Sequence, residues 1–412
     1  MGFSLLLPVT VSLVGLYLLI KLRFFFVIHP IKTIKVFFEE IKNRNTRRSF
    51  LLALAGTLGV GNIFGVATGI MIGGAGCLFW IFVCSFFAMI IKYSETLLVF
   101  DSPEERGGMC SVISRVYGKA GAVFALIYGI FTIALALFMG SAMQSAALCD
   151  AFSQAVGINP ILISILLLII FIPCIRKGAK KIESATEILI PLTTIIYIIM
   201  CFAVIFMRIS RLPSVIFDII KSAFSFRASL GGVSALAIKE GFARGIMSNE
   251  AGVGSSAMAH SRSKGRTPHT AGIFGMCEVV FDTTLLCILT GLAILVSGVD
   301  IEAYKSPMSL VADSFLSVLG EFSIYLLAFC IFAFAYSTII CWFYYGRECV
   351  SLYFPRFNGV YLIIFSCFIL VSKILPFFLL VSVIDMLLLF MTFMTLFCIL
   401  KKRERIFLLS RK

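Results

Sequence analysis

The sequence predicts an all-α polytopic membrane protein with about eleven transmembrane helices. Three observations predict this class: a mean hydropathy of +1.06, 60% hydrophobic residues with only 14% charged ones, and repeated apolar windows. Soluble proteins of this length contain more charged and fewer apolar residues. The windows fall near residues 3–20, 50–72, 74–100, 120–149, 159–175, 186–207, 229–256, 269–297, 321–345, 357–372 and 376–400.

The placement of lysine and arginine orients these helices. The formal net charge is +14, and 26 of the 35 basic residues fall on one side if the N-terminus is outside, against six on the other. Basic loops stay in the cytoplasm, so the N-terminus is predicted outside and the C-terminus inside. The charge therefore orients the protein and requires no nucleic-acid partner.

The first predicted segment, residues 1–49, contains one helix and an inner amphipathic stretch. Residues 3–20 have no basic residues before them, so they are interpreted as a retained helix and not a cleaved signal. Residues 21–49 alternate apolar and basic side chains, which fits a helix lying in the inner interface or a solvated loop. The thirteen cysteines are scattered through apolar runs and are interpreted as small hydrophobes.

The second span, within residues 55–76, contains too many glycines for a continuous helix. Each glycine costs a helix about 1 kcal/mol relative to alanine, and unwound backbone in a membrane is tolerated only inside the protein. We predict a break near Gly59–Asn62, a stretch that contains Gly61 and follows Gly56. Gly65, Gly69 and Gly73 recur every four residues and are assigned to helix packing.

A second anomalous stretch, residues 241–260, opens the seventh span. It places Ser248, Asn249 and Glu250 in sequence and follows them with glycines and serines. Setting the first helix aside, the two anomalies open two groups of five helices, an inverted repeat typical of secondary transporters. The predicted units are residues 50–207 and 229–400, joined by an outer segment at 208–228 and followed by a basic tail at 401–412.

Several polar residues within the spans allow two interpretations. Asn62 can supply a carbonyl oxygen to a sodium ion, or it can cap a half-helix. Gln144 can contact a substrate or join two helices. Lys92 and Glu95 are three residues apart on one helix, which favours a structural ion pair.

The remaining candidates lie in spans seven to nine. Asp282 is ionisable within a long apolar run and is a functional candidate, or it pairs with Arg244 or Lys239. Glu250 and Asp282 are both candidates for coupling, including proton coupling. Ser337 and Thr338 lie one turn before Trp342, so their hydroxyls either line the site or pack between helices.

The two glycine-rich stretches resemble the alanine or glycine:cation symporter family, sodium-coupled carriers with the leucine-transporter (LeuT) fold. The resemblance rests on AGTLGVGNIFGVATGIMIGGAG at 55–76, RGIMSNEAGVGSSAMAHS at 244–261, FDTTLLCILTGLAIL at 281–295 and FAFAYSTIICWFYYGRE at 332–348. It covers nearly the whole chain from about residue 10 to 350. Among the departures from the family pattern, two bear on the pocket: Ser141 stands where the family usually has Asn, and Met247 where it usually has Phe. The others are Ala75, within the family's usual Gly-Gly-Pro-Gly, Met109 and Cys110, within its usual Gly-Gly-Pro-Met-Tyr-Tyr, and the eleventh span, which lacks the usual Pro-Asn.

The resemblance implies a substrate site and two sodium sites. The implied substrate contacts are Gly59, Gly61, Asn62, Gln144, Met247, Ser248, Asn249, Thr338 and Trp342. The implied sodium ligands are Ala55 and Leu58 with Ser337 or Thr338 at one site, and Thr57 with Asn62 at the other.

We therefore predict a sodium-coupled importer of small neutral amino acids, alanine or glycine first, in a bacterial or archaeal plasma membrane. Its partners are the amino acid, Na⁺ and the lipid bilayer, and no cofactor is expected beyond the co-transported ion. Two alternatives stay open: a proton-coupled carrier, and a channel or transport-dead sensor with the same fold. An enzyme is disfavoured because the three histidines lie near predicted membrane edges and form no HExxH metal pair.

Overall fold

The structure is a computed structural model that describes residues 5–101, 108–176, 179–224, 233–260 and 267–410. Several predicted features lie partly outside the described residues: the start of the first span, the outer segment at 208–228, the start of the seventh span, the last residue of the 244–261 motif and the end of the basic tail. The side chains of 179–186 and of 233–234 are also outside the description.

The described chain folds into helices throughout. The first ten are α1 (Leu6–Lys21), α2 (Phe25–Ile28), α3 (Pro30–Glu40), α4 (Arg44–Thr57), α5 (Phe64–Gly73), α6 (Gly76–Phe100), α7 (Met109–Val116), α8 (Gly121–Leu135), α9 (Gln144–Val156) and α10 (Pro160–Arg176). The others are α11 (Ala179–Met207), α12 (Leu212–Ala223), α13 (Val233–Asn249), α14 (Ala257–His260), α15 (Pro268–Val279), α16 (Ile288–Ser297), α17 (Pro307–Leu319), α18 (Phe322–Tyr353), α19 (Asn358–Leu370), α20 (Phe377–Lys401) and α21 (Arg403–Leu409).

Long apolar helices make this a multi-pass membrane protein. Among the described residues, six helical stretches are long and apolar enough to cross a bilayer, and the bent α4–α5 pair makes a seventh. Three further predicted spans, now α1, α10 and α19, are apolar but shorter. The all-α membrane fold is confirmed, while the count of eleven and the division into units stay predictions. α17 was not predicted, because its 13 residues are too few for a membrane span.

The predicted break in the second span is present. α4 ends at Thr57 and α5 begins at Phe64, and the two helices are inclined by 56° to each other. A single 3₁₀ turn, Val60–Asn62, lies between them. The backbone is therefore unwound where the glycine spacing predicted.

The second anomalous stretch also interrupts its helix. α13 ends at Asn249, and the next residue, Glu250, has a φ of 55°. Gly252 and Gly254 follow with φ of 81° and 79°, a left-handed conformation that glycine adopts without strain. The chain becomes helical again only at α14, so the second break is real too.

Two helices position the breaks. α6 packs along α13 and α15, and α18 packs against α4, α9 and α11, so both breaks lie in the interior. α5 packs closely on α13. The approach requires small residues on α5, since a β-carbon at Gly69 would lie only 2.9 Å from Arg244 Cγ. The packing role predicted for this glycine ridge is confirmed.

Two π-helical segments, Ala136–Met143 and Val280–Cys287, interrupt otherwise continuous helices. The first joins α8 to α9, and the second joins α15 to α16. Such segments turn side chains away from regular α-helical register and are frequent at functional sites. Here one leads into Gln144 and the other carries Asp282.

Candidate functional site

The carbonyl oxygens at the end of α4 face a hydroxyl of α18. Thr338 Oγ1 lies 3.0 Å from the Ala55 oxygen and 3.2 Å from the Leu58 oxygen. All three residues are buried. A broken helix leaves such carbonyls without intrahelical donors, and here one hydroxyl reaches both. The result is a buried group of three oxygens, which is the ligand type that sodium prefers.

The other side of the first break is held by Gln144. Its Oε1 accepts a hydrogen bond of 3.0 Å from the Val60 N–H, and its Nε2 donates to the Met139 oxygen at 3.2 Å. A β-carbon on Gly59 would lie 2.9 Å from the same Oε1. The glycine is required because the amide and the backbone approach this closely. Gln144 therefore joins a π-helical segment to the unwound turn.

Asn62 connects the first break to two distant helices. Its Oδ1 accepts from the Gly59 N–H at 3.2 Å, and its Nδ2 donates to Asp282 Oδ1 at 2.5 Å and to Ser248 Oγ at 3.0 Å. The capping interpretation of Asn62 agrees with this geometry. The same side chain also reaches both a carboxylate and a hydroxyl.

Asp282 lies at the centre of this polar cluster and is fully buried. Its Oδ2 accepts from Ser248 Oγ at 2.6 Å and from Thr283 Oγ1 at 2.7 Å, in addition to the Asn62 contact. Asn249 joins the cluster through Thr283, to which its Nδ2 donates at 3.1 Å. These donors are all neutral, so among the described residues no cationic side chain forms an ion pair with this carboxylate.

The predicted alternative for Asp282, a pair with Arg244 or Lys239, is wrong. Arg244 lies 3.3 Å from Glu240 and 2.5 Å from Asp385, and Lys239 lies 3.1 Å from Glu240. Both cations therefore have acids on α13 or α20 as partners. Asp282 is occupied instead by the residues of the first break.

The second break is held by charged side chains of α6. Lys92 Nζ donates to the Asn249 oxygen at 2.9 Å, and Glu95 Oε2 accepts from the Gly252 N–H at 2.8 Å. A cation therefore faces the carbonyl end of α13 and an anion faces the free N–H after it, as the helix dipole favours. The two side chains lie 3.5 Å apart, which confirms the predicted ion pair.

Trp342 is tied to the second break by Glu250. Its indole Nε1 donates to Glu250 Oε1 at 3.1 Å, and Ser255 donates to the other carboxylate oxygen. Gly140 of the first π-helical segment leaves room for the indole, since a β-carbon there would overlap Trp342. Trp342, implied as a substrate contact, therefore lies between the two breaks, and Glu250 positions it.

Met247 lies beside the first break and the start of α5, since a β-carbon at Gly61 would lie 3.9 Å from its Cε. A β-carbon at Gly65 would lie 2.6 Å from Met247 Cε, and Arg244 Nη1 lies 3.4 Å from Met247 Sδ. The position therefore faces the region that the resemblance assigns to substrate. Ser141, the other departure expected to bear on the pocket, donates to the Phe365 oxygen of α19 at 3.0 Å and contacts a neighbouring helix.

Two implied sodium ligands bond to their own helices. The Thr57 hydroxyl lies 3.3 Å from the Leu54 oxygen, and the Ser337 hydroxyl lies 2.7 Å from the Ala333 oxygen. Neither hydroxyl has the bridging geometry of Thr338. The structure thus brings Ala55, Leu58 and Thr338 together and leaves Thr57 and Ser337 bonded within α4 and α18.

Three residues of the site were missed by the sequence analysis. Glu278 lies 3.6 Å from Lys92 and contacts His260, and both acid and imidazole are buried. His260, predicted near a membrane edge, is buried because α14 folds against α4 and α6. Asp385 was not singled out, although an acid within an apolar run is the signal that identified Asp282.

A narrow gap beside the first break is too small to admit a water molecule. It is lined by Leu58, Gly59, Asn62, Ile63, Tyr197, Leu286 and Phe334. Most of this lining is apolar, and Gly59 and Asn62 belong to the unwound turn. The helices therefore pack closely around the break.

Comparison with known proteins gives one consistent result. Residues 1–408 match the family described as the sodium:alanine symporter family. The chain is 30% identical to the sodium/alanine symporter AgcS of Methanococcus maripaludis over 81% of this chain and 78% of that one. It is 29% identical to the probable sodium/glutamine symporter GlnT of Bacillus subtilis over 86% and 77%.

Solved structures agree on the fold. A crystal structure of MhsT in complex with L-phenylalanine superposes with a TM-score of 0.64 at 15% identity, covering 84% of this chain and 87% of that one. A Na⁺-coupled sialic acid symporter gives a TM-score of 0.61 at 12% identity, covering 95% and 87%. At these identities the likeness concerns the fold alone, and it is the predicted leucine-transporter fold.

Proposed function

Because this chain belongs to the sodium:alanine symporter family, we propose that it imports a small neutral amino acid, alanine or glycine first, together with Na⁺. Sodium-coupled amino-acid symport is the activity of the family. The choice of alanine or glycine, the inward direction and the residues that bind are the proposal. Transport breaks no covalent bond, so the chain needs ligand sites and a conformational change, and no catalytic group.

The observation that carries the sodium part is the oxygen group at the end of α4. We assign one Na⁺ to the Ala55 and Leu58 oxygens with Thr338 Oγ1, which already lies within 3.0 and 3.2 Å of both. A second Na⁺ is assigned beside Asp282 and Asn62, where a buried carboxylate has neutral donors. A cation there balances a charge that is costly to bury.

The amino acid is assigned to the space between the two breaks. Its carboxylate would replace Gln144 at the N–H groups after Gly59, and Trp342 and Met247 would enclose its side chain. Gly59 supports this assignment, because close approach to the backbone is what a compact substrate requires. We also propose that the N-terminus lies outside and the C-terminus in the cytoplasm of a bacterial or archaeal plasma membrane.

Coupling follows from linkage between the two ligands. Sodium at the end of α4 orders the unwound turn, and the ordered turn binds the amino acid more tightly. The amino acid must then raise the affinity for sodium by the same factor. The proposal therefore requires no contact between the two ligands, only a shared effect on Gly59–Asn62.

The test is uptake into proteoliposomes with an imposed sodium gradient, using labelled alanine, glycine and D-alanine. We expect accumulation of alanine or glycine that collapses when the gradient is dissipated by a sodium ionophore. Asn62→Ala should raise the sodium concentration needed for half-maximal uptake. Sodium-driven uptake that is identical in this variant would refute the site assignment.

The proton-coupled alternative rests on the buried carboxylates Glu250 and Asp282. It is distinguished by the same vesicles with no sodium on either side and an imposed pH gradient. Uptake that follows the pH gradient would replace sodium with protons in the mechanism. Downhill flux without accumulation under any gradient would identify a channel, and binding without flux would identify a sensor.

A further inference from the structure

The short helix α3 has three distinct faces, and only one of them contacts the protein. Thr33 and Phe37 are buried, and the Phe37 ring lies 5.2 Å from that of Phe50 in α4 and 4.9 Å from that of Phe274 in α15. These contacts fix α3 against the first half of the broken span. They leave the remainder of its circumference uncovered.

The second face is apolar and exposed. Ile31, Ile34 and Phe38 are 80%, 53% and 60% exposed, and their spacing places them within about 60° of one another on the helix. Phe38 lies directly after the buried Phe37, so this face borders the protein contact. A soluble protein would not leave such a stripe in water.

The third face carries charged side chains and lies on the far side of the apolar stripe. Lys32 and Lys35 are exposed on it, and Glu39 lies 3.8 Å from Lys35. At about 100° per residue both lysines fall next to Ile31. The segment around α3 is basic overall, because two acids, Glu39 and Glu40, stand against six exposed basic residues: Lys21, Arg23, Lys32, Lys35, Lys42 and Arg44. Apolar and cationic stripes side by side on one helix are typical of helices that lie in a membrane interface.

The position of α3 in the chain indicates which surface it meets. It follows α1, which ends at Lys21, and precedes α4, which begins at Arg44, so it joins two membrane helices at one end of the bundle. In a bilayer, an amphipathic segment at the end of a helical bundle lies at the headgroup layer. Lysines are attracted to an anionic headgroup layer. Each one raises the partition coefficient of its segment onto that layer roughly fivefold.

We propose that α3 binds anionic phospholipid at the membrane surface. Ile31, Ile34 and Phe38 would lie among the upper acyl chains, with Lys32, Lys35 and Lys42 at the phosphate level. The charge complementarity selects lipid over a second copy of the chain, because the same lysines would repel each other in a symmetric contact. Through Phe37 the bound lipid layer would hold α4 from outside.

The test measures contact with lipid directly. Phe38→Trp is made in the full chain, which is then reconstituted in vesicles of brominated phosphatidylglycerol or brominated phosphatidylcholine. Quenching of the native Trp80 and Trp342 is measured in the parent chain and subtracted. Bromine on the acyl chain reports lipid contact, so free phosphate cannot produce the signal.

We expect quenching of the introduced tryptophan by both lipids, with about twofold more from phosphatidylglycerol at low salt, falling toward equality at high salt. A triple variant should lose the preference for phosphatidylglycerol while the introduced tryptophan is still quenched by both lipids. Its substitutions are Lys32→Gln, Lys35→Gln and Lys42→Gln. The matched control is Lys401→Gln with Lys402→Gln and Arg403→Gln, also exposed basic residues, which should keep the preference.

Two outcomes would overturn the proposal. Equal quenching by both lipids in Phe38→Trp, with all lysines retained, would show that charge does not contribute to lipid binding by α3. No quenching by either lipid would show that protein covers the stripe, from a second copy or from the chain itself. Because the signal needs no transport, it stands or falls separately from the proposed symport activity.

Discussion

Replacing Thr338 with valine tests the sodium site most sharply, because valine keeps the shape and removes only the hydroxyl. Without Na⁺ the hydroxyl donates one neutral hydrogen bond to the carbonyls of Ala55 or Leu58, worth about 1 kcal/mol. With Na⁺ its oxygen contacts a full charge, worth about 1.5–3 kcal/mol. The difference of about 0.5–2 kcal/mol corresponds to a loss of sodium affinity between roughly twofold and thirtyfold, or roughly tenfold near the middle of that range.

The assay is the sodium concentration for half-maximal alanine uptake in proteoliposomes, which we expect to rise about tenfold in Thr338→Val. The control is Thr193→Val, because Thr193 is equally buried and its hydroxyl bonds only to Leu189 of its own helix, at 2.7 Å. An unchanged sodium dependence in Thr338→Val would refute the reasoning. So would an equal shift in the control, which would show a general effect of lost hydroxyls.

Two further substitutions address the two breaks. Gly59→Ala should abolish uptake without unfolding the protein, because its β-carbon would lie 2.8 Å from Thr338 Oγ1; Gly359→Ala, which meets nothing within 4 Å, should transport normally. Lys92→Met should lower the free energy of unfolding by about 3–5 kcal/mol, since it leaves buried carboxylates uncompensated. Thermal unfolding in detergent measures it, and adding Glu278→Gln should restore part of the loss.

The fold was predictable because its signals are local. Apolar windows of membrane length, and glycines at spacings that a helix disfavours, are visible within a few dozen residues. The first break was predicted at Gly59–Asn62, and the second interruption was predicted within 241–260, where the structure places it after Asn249. The π-helical segments were not predictable, because inserting a π turn into an apolar run leaves its composition unchanged. α17 was missed because a span search passes over short helices.

Individual residues of the site were predictable from their own stretch of sequence, but the contacts between distant stretches were not. Asn62, Thr338 and Asp282 were identified one at a time as polar residues in apolar runs. Their partners were not, because Asn62 and Asp282 are 220 residues apart and meet only after folding. The assignment of Asp282 to Arg244 or Lys239 failed for the same reason. Those cations belong to the preceding predicted span, and in the structure Arg244 pairs with Asp385 of α20 while Lys239 pairs with Glu240.

The pairing of Lys92 with Glu95 has a consequence for biosynthesis. α6 emerges from the ribosome long before Glu278, the other acid that contacts Lys92, has been translated. Because Lys92 and Glu95 lie on one turn of one helix, they neutralise each other and α6 enters the bilayer with no net charge at that depth. Glu240 and Arg244 do the same within α13. Each helix thus carries its own counter-charge into the membrane and keeps it while the distant partners Glu278 and Asp385 join during assembly.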